Sequence, residues 1–156
     1  MHEPCAANGW QAEHAGLLLR CHRHWTGRDL IDPGLPPQEA ARALYHAPFV
    51  VLAHDTAADP RFSYANLSAQ RLFEMPWAEI VGLPSRYSAE PMLRAERERL
   101  LERVRDHGFI DDYSGIRIAR SGLRFSIGAA TVWNLFDEQG NPAGQAASFG
   151  DWQYLA

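Results

Sequence analysis

One set of mostly apolar residues occupies every second position between residues 123 and 135. The set is Leu123, Phe125, Ile127, Ala129, Thr131, Trp133 and Leu135. This period is typical of a strand with one buried face. Turn-forming residues at 137–142 follow, residues 144–152 can return antiparallel, and residues 110–119 read as a preceding strand. The stretch therefore predicts a three-stranded meander whose inner face another part of the chain must cover.

The rest of the chain predicts the covering elements. The chain is expected to begin with helices at 9–29 and 37–46, separated by a linker at 30–37, and to continue with strands at 49–53 and 61–65. Helices at 67–73, capped by Asn66, and at 77–81 follow. An irregular segment at 83–90 and a long helix at 91–107 then lead into the meander. Five antiparallel strands with helices inserted after the second make an α+β domain. We expect an N-terminal helical cap and linker at 1–46 and a domain at 47–156. The helices lie on one face of the sheet, with space for a small ligand between the two layers.

Composition excludes several classes of function. The net charge is -4 with no basic tract, so nucleic-acid binding has no electrostatic support. No apolar run approaches the roughly 18 residues of a membrane helix, and the first residues lack the pattern of a signal peptide. We therefore expect a cytoplasmic protein. Cys5 and Cys21 match neither a disulfide framework nor a zinc motif, so no metal site is expected.

The predicted order of elements resembles the PAS fold, and the sequence itself is similar to the MEKHLA domain family, a PAS-like group. The resemblance is carried by DPRFSYAN (59–66), LPSRYSAEP (83–91), GFIDDYSGIR (108–117), ATVWNL (130–135) and GQAA (144–147), with RHWTG (23–27) in the N-terminal helix. It implies a free-standing bacterial form and a role in small-molecule or redox sensing. It does not supply a ligand.

The run from Glu79 to Tyr87 also resembles the segment of light-oxygen-voltage domains that carries the flavin-reactive cysteine. Ser85 stands in place of that cysteine and cannot form the photoadduct, and Pro84 replaces an asparagine that contacts the flavin. Gln145 matches the glutamine that those domains place beside the flavin. Haem would need an axial histidine in an apolar pocket, for which His107 is the candidate. The cofactor is thus unknown, with flavin and haem as alternatives that few residues favour.

Two polar residues are candidates for contact with a ligand inside the domain. Gln145 shares its strand parity with Ala147 and Phe149, so it points into the core. There it either binds a ligand or bonds to a buried backbone group or to Tyr113, because an unpaired buried amide is costly. Arg97 lies within the apolar side of the long helix. It can bind a carboxylate or phosphate, although the pattern favours a guanidinium that extends to water.

The segment 83–90 is expected to close the mouth of the cavity. Its Arg86 and Tyr87 either bind the ligand, as loop residues often do, or serve to pin the loop through a carboxylate such as Asp111 or Glu90. Trp133 and Tyr113 are predicted to face the same interior on neighbouring strands. Phe125 completes the expected lining, unless a β-bulge reverses the parity of a strand.

The sequence thus predicts a non-enzymatic sensory or binding module. It would hold a small, partly polar ligand and signal through a partner or a homodimer. The N-terminal stripe of Trp10, Leu17, Leu18 and Trp25 is the predicted dimer contact. A ligand-free interaction module is one alternative. A small lyase or isomerase using the same cavity is another, but the adjacent Asp111 and Asp112 point to opposite strand faces and cannot act together.

Overall fold

The computed structural model describes residues 1–89 and 94–155. Its strands are β1 (Val50–His54), β2 (Phe62–Ala65), β3 (Phe109–Ile118), β4 (Arg124–Phe136), β5 (Pro142–Phe149) and β6 (Asp151–Tyr154). Its helices are α1 (Ala12–Thr26), α2 (Pro37–Tyr45), α3 (Leu67–Phe73), α4 (Trp77–Ile80) and α5 (Arg94–His107), with 3-10 segments at Ala6–Gln11 and Ser85–Ser88. The predicted start of α5 at Pro91 lies outside the described residues.

The strands form an antiparallel sheet in the order β2-β1-β5-β4-β3. Strand β6 continues beyond β5 and pairs with the first half of β4. The predicted α+β fold, with a hairpin, inserted helices and a meander, is confirmed. The single return strand predicted at 144–152 is divided in two, because Gly150 separates β5 from β6.

Strand β1 is central and buried on both faces. Val50, Val51, Leu52 and Ala53 are all buried, which explains the continuous apolar run in this part of the sequence. Strand β1 lies between β2 and β5, so it brings its last residue, His54, opposite Gln145 of β5.

Helix α3 begins where the sequence predicts, directly after Asn66. The Asn66 side chain accepts a hydrogen bond from the backbone N–H of Ala69 at 3.1 Å. This bond satisfies one of the free donors of the first helical turn. Because Asn66 follows β2 directly, the cap fixes the angle at which α3 leaves the sheet.

The N-terminal helix starts later than predicted. Gly9, Trp10 and Gln11 have φ values of 62°, 61° and 53°, so the chain changes direction there and α1 begins at Ala12. Trp10 therefore leaves the predicted stripe and packs edge-on against His46, at the end of α2. The helix ends at Thr26, short of residue 29, because Gly27 adopts φ 71° and its N–H bonds to the Arg23 carbonyl.

Helices cover both faces of the sheet. The N-terminal extension packs on one face, where Ala15, Leu18 and Cys21 of α1 are fully buried against β4 and its neighbours. Helices α3 and α5 pack on the other face. The stripe of α1 is thus used largely inside the chain. No helix in the described part of the chain is long and apolar enough to span a bilayer.

Strand β4 changes face at a bulge around Ala129, which has a φ of 52°. Gly115 pairs with Ile127 and Tyr113 with Ala130, so β4 carries one more residue here than β3. The bulge reverses the parity of every later side chain. Ile127 faces the α3–α5 side, whereas Trp133 packs in the cluster around α1. The prediction that the whole alternating set shares one interior is therefore wrong.

One buried and one half-buried histidine of α1, His22 and His14, predict an acid-sensitive fold. Burial lowers the pKa of both His14 and His22 below the ordinary value of 6.5; His14 faces the Tyr64 ring, and His22 faces Trp133 and is near Arg28 and Asp29. The unfolded chain then binds more protons below pH 6.5, so stability falls as pH falls through that value, by at most about 1.4 kcal/mol per pH unit for each histidine.

Urea unfolding at about pH 7.5 and about pH 5.5 measures this effect. We expect the loss on acidification to be smaller in His14→Gln and His22→Gln than in the unmodified chain. Equal losses in all three proteins would contradict a neutral, buried state of these rings.

Candidate functional site

A cavity of about 70 Å³ lies between the sheet and α5. Its walls come from β1, β3, β4 and β5 on one side and from α5 and the 85–88 segment on the other. Its apolar lining includes Leu52, Phe62, Phe73, Leu100, Ile127, Val132 and Phe149. Its polar lining includes His54, Ser88, Arg97, Tyr113, Arg117 and Gln145. A dry cavity of about 150 Å³ holds benzene, so this one suits a molecule of a few carbon atoms.

Gln145 lies in this lining together with Ala147 and Phe149, as strand parity predicts. Its side-chain nitrogen donates to the Leu101 carbonyl at 3.1 Å and to Asn134 Oδ1 at 3.0 Å. The other amide atom, Oε1, is buried and has no hydrogen-bond partner within the described residues. The bond to the Leu101 carbonyl matches the predicted bond to a buried backbone group. The amide oxygen takes no part in these contacts and is available to a ligand.

His54 stands opposite Gln145 on the neighbouring strand. Its Nδ1 lies 2.9 Å from the Asp55 carbonyl, and its Nε2 is buried with no hydrogen-bond partner in the described ranges. Burial is the main cause that lowers the pKa of His54; the charge of Arg97 lowers it further, while the Asp55 carbonyl and the Gln145 amide oppose the change. The ring is therefore neutral at neutral pH.

Arg97 is buried, with 7% of its surface exposed. The favoured expectation of a guanidinium that extends to water is therefore wrong. Arg97 lies on the same side of α5 as Leu100 and Val104, and its Nη2 donates to Ser85 Oγ. Burial is the main cause that lowers the pKa of Arg97, to about 10, and the charge of Arg117 adds to the effect. The group still carries a full positive charge at neutral pH.

Tyr113 lines the cavity as predicted, and its ring lies under the Arg117 guanidinium at 5.2 Å. An added Cβ at Gly115 would overlap the Tyr113 side chain, so the glycine makes room for the ring along β3. Arg117 also donates to the Ile116 carbonyl at 3.0 Å. The two arginines thus enter the cavity from α5 and from β3.

His54 and Arg117 were not among the residues predicted for the site. Both follow from strand parity: His54 shares a face with Val50 and Leu52, and Arg117 is four residues beyond Tyr113. His54 lies one residue beyond the predicted strand at 49–53, which conceals its parity. Arg117 lies within the predicted strand at 110–119, where its parity with Tyr113 can be read from the sequence.

Arg86 does not line the cavity. Its Nε donates to both carboxylate oxygens of Asp59, at 3.1 and 3.2 Å. The loop is therefore pinned, as one interpretation predicted, but by a different carboxylate, since Asp111 pairs with Arg28 at 3.5 Å. Glu90, the other expected partner, lies outside the described residues.

The segment Ser85–Ser88 does border the cavity, through Ser88. Ser88 Oγ donates to the Ser85 carbonyl at 2.7 Å, which closes this short helical turn. Tyr87 points away and is exposed between the guanidinium groups of Arg86 and Arg94. The predicted lid therefore reaches the cavity through Ser88 and not through Arg86 or Tyr87.

Two aromatic residues predicted for the lining lie elsewhere. Trp133 is on the opposite face of the sheet because of the bulge at Ala129; its ring nitrogen donates to the Leu18 carbonyl at 3.2 Å. Phe125 is on the cavity side but packs edge-on against Phe73, with ring centroids 5.3 Å apart. Both are core residues in this structure.

Neither a metal centre nor an acid–base pair emerges from the described residues. They contain no group of three metal-ligating side chains. Asp111 and Asp112 are both exposed at the start of β3, outside the cavity lining. Among its described residues, that lining contains no carboxylate.

The family follows from comparison of the sequence with known domains. The model of the MEKHLA domain matches residues 12–154, nearly the whole chain. This chain belongs to the MEKHLA domain family. The match includes α1, so the helix that covers the second face of the sheet is part of the MEKHLA domain. No curated protein sequence matches the chain significantly.

Solved structures agree with the PAS-like fold. An RNA-binding light-oxygen-voltage receptor superposes with a TM-score of 0.63 and 18% identity, over 80% of this chain and 36% of the receptor. A PAS domain from Colwellia psychrerythraea gives a TM-score of 0.62 and 12% identity, over 76% and 95%. The light-state dimer of the fungal blue-light photoreceptor Vivid gives 0.58 and 14%, over 85% and 90%. The MEKHLA domain thus spans about a third of the RNA-binding receptor, and the likeness concerns the fold.

The cavity does not fit the cofactors that the fold suggests. Pockets for ligands of drug size enclose about 300–1,000 Å³, well above the 70 Å³ found here. Ser85 stands in place of the reactive cysteine, and its side chain is fully buried in a bond with Arg97. His107, the candidate haem ligand, is exposed. Neither flavin nor haem fits these residues.

Proposed function

We propose that this MEKHLA domain is a non-enzymatic sensory or binding module, which holds a small, partly polar ligand in the cavity between the sheet and α5. The observation that carries the proposal is a pair of polar atoms in the lining, Gln145 Oε1 and His54 Nε2, which have no hydrogen-bond partner among the described residues. Burying such atoms without partners is costly. A ligand that bonds to them would recover this free energy.

The contact between Arg97 and Ser85 offers a route for a signal. It joins α5 to the 85–88 segment at the edge of the cavity. A ligand that draws the guanidinium away would weaken the hold on this segment, which Arg86 and Asp59 tie to the β1–β2 hairpin. Binding of a ligand in the cavity would then change how well the 85–88 segment is ordered at the protein surface.

A second copy of the chain is the partner that we propose for this signal. Leu17 and Trp25 of α1 remain half-buried, so part of the predicted stripe is accessible. The Vivid structure is a light-state dimer of a photoreceptor with a similar fold. The rival proposal, a ligand-free interaction module, would use the same helix but has no role for the unsatisfied cavity atoms.

Replacing Gln145 by leucine tests the site. Leucine has a similar volume but lacks the free oxygen, so we expect the variant to lose a small molecule that the unmodified chain retains on purification from its host. Comparison of native and denaturing mass spectra measures retention. Gln153→Leu, an exposed change on β6, is the matched control. Equal retention in both variants would remove Gln145 from the site, and the absence of any retained mass would favour the interaction module.

A further inference from the structure

At the polar end of the cavity, two hydrogen-bond acceptors face each other. A carbonyl oxygen can only accept, so His54 Nδ1 carries the hydrogen that bonds to the Asp55 carbonyl. The neutral ring then exposes a lone pair at Nε2. Gln145 uses both amide hydrogens on Leu101 and Asn134, which turns its oxygen toward the cavity. Both acceptors are buried and lack a donor within residues 1–89 and 94–155.

The described lining of the same cavity contains two cations and no carboxylate. Within the described residues, Arg97 donates to the neutral Ser85 hydroxyl, while Arg117 donates to the Ile116 carbonyl and lies over the Tyr113 ring. Neither forms an ion pair with any carboxylate in the described ranges, and the two charges oppose each other. Arg97 is buried and Arg117 is half-buried. A buried charge is stable when it is paired, and two guanidinium groups suit a carboxylate oxygen pair.

The remaining lining is apolar, and Leu52, Leu100, Ile127 and Val132 leave room for a few carbon atoms. The acceptor pair calls for a donor, but an ammonium group would add positive charge close to Arg97, whose field already reaches His54. An uncharged hydroxyl supplies one hydrogen without adding charge, which satisfies one of the two acceptors. We propose that the cavity binds a short-chain hydroxy acid, with its carboxylate on Arg97 and Arg117 and its hydroxyl donating to Gln145 Oε1, at the end of the cavity where His54 lies. This assignment rests on the proposed function of the cavity as a ligand site.

Four matched probes test the hydroxyl contact and the carboxylate contact separately. The probes are 2-hydroxybutanoate, 3-hydroxybutanoate, butanoate and 2-butanol, titrated into the full chain by ligand-detected NMR. We expect one hydroxybutanoate to bind about tenfold tighter than butanoate, and butanoate to bind tighter than 2-butanol. Equal binding of butanoate and both hydroxy acids would overturn the hydroxyl assignment. Binding of 2-butanol as tight as that of the acids would overturn the anion assignment while leaving the cavity a ligand site.

Variants test which side chains supply the two preferences. Gln145→Leu is expected to reduce the preference for the hydroxy acid, and Arg97→Gln to reduce the preference for acids, whereas Arg99→Gln, on the exposed side of α5, changes neither. If no probe binds but protein from the host retains another molecule, the hydroxy-acid assignment fails and the proposed function stands. If nothing binds or is retained, both fail. The probe ratios of the unmodified chain decide the question even if a variant does not fold.

Discussion

Replacing Asn66 by aspartate is expected to destabilise the protein by about 3 kcal/mol or more. Aspartate and asparagine are equally good helix caps at a surface, so the cap alone would make the change nearly neutral. At this position the side chain is fully buried. Its nitrogen donates to the Leu44 carbonyl at 3.1 Å and to the Phe49 carbonyl at 2.9 Å. Aspartate would place a carboxylate oxygen against both carbonyls.

Urea unfolding compares this variant with Asn8→Asp. Asn8 makes the same pair of bonds near the surface, accepting from the Cys5 N–H and donating to the Glu3 carbonyl. Water can replace the lost donor there, so the control is expected to lose less than about 1 kcal/mol. Similar losses at both positions would show that Asn66 acts only as a cap and does not link α2, β1 and α3.

Replacing Gly144 by alanine is the second change with a large expected effect. Gly144 has a φ of 123°, a conformation that side chains disfavour, and an added Cβ would overlap the carbonyl oxygen of His54. The backbone strain is about 1–2 kcal/mol, and the overlap adds about 1–3 kcal/mol as β5 moves away from β1. We expect a total loss of about 3 kcal/mol. The same movement would separate His54 from Gln145, so binding of any cavity probe should weaken as well.

Gly140→Ala is the matched control in the same hairpin. Gly140 has a φ of 82°, but an added Cβ would meet no atom within 4 Å. Its loss should be about 1 kcal/mol, from backbone strain alone, with cavity binding unchanged. Thermal unfolding with a probe titration measures both quantities. A loss at Gly144 no larger than that at Gly140 would contradict the close approach of the two strands.

Much of the fold was predictable because its signals are local. The cap at Asn66, the αL glycine after α1 and the apolar run of β1 each determine one element through interactions within a few residues. The bulge at Ala129 was not predictable in the same way. Its positive φ belongs to an alanine, with nothing in the local sequence that requires it. That one residue moved Trp133 to the opposite face from the one its alternation indicates.

The residues of the candidate site show the same contrast between local and long-range signals. Gln145 was found by strand parity, since β5 is regular from Gly144 to Phe149. The burial of Arg97 depends on Ser85, a residue distant in sequence, and helical periodicity cannot reveal such a partner. His54 and Arg117 become neighbours of the site only when β1 and β3 are both placed beside the cavity. A site whose residues come from several strands therefore cannot be recognised from the local sequence alone.

A crystal structure of the protein purified from its host tests the central claim most directly. We predict electron density for a small molecule in the cavity beneath α5, within hydrogen-bond distance of Gln145 Oε1 or His54 Nε2 and of the Arg97 guanidinium. A cavity closed by its own side chains, with these polar atoms bonded to protein groups, would contradict the account and identify the domain as an interaction module with a filled core.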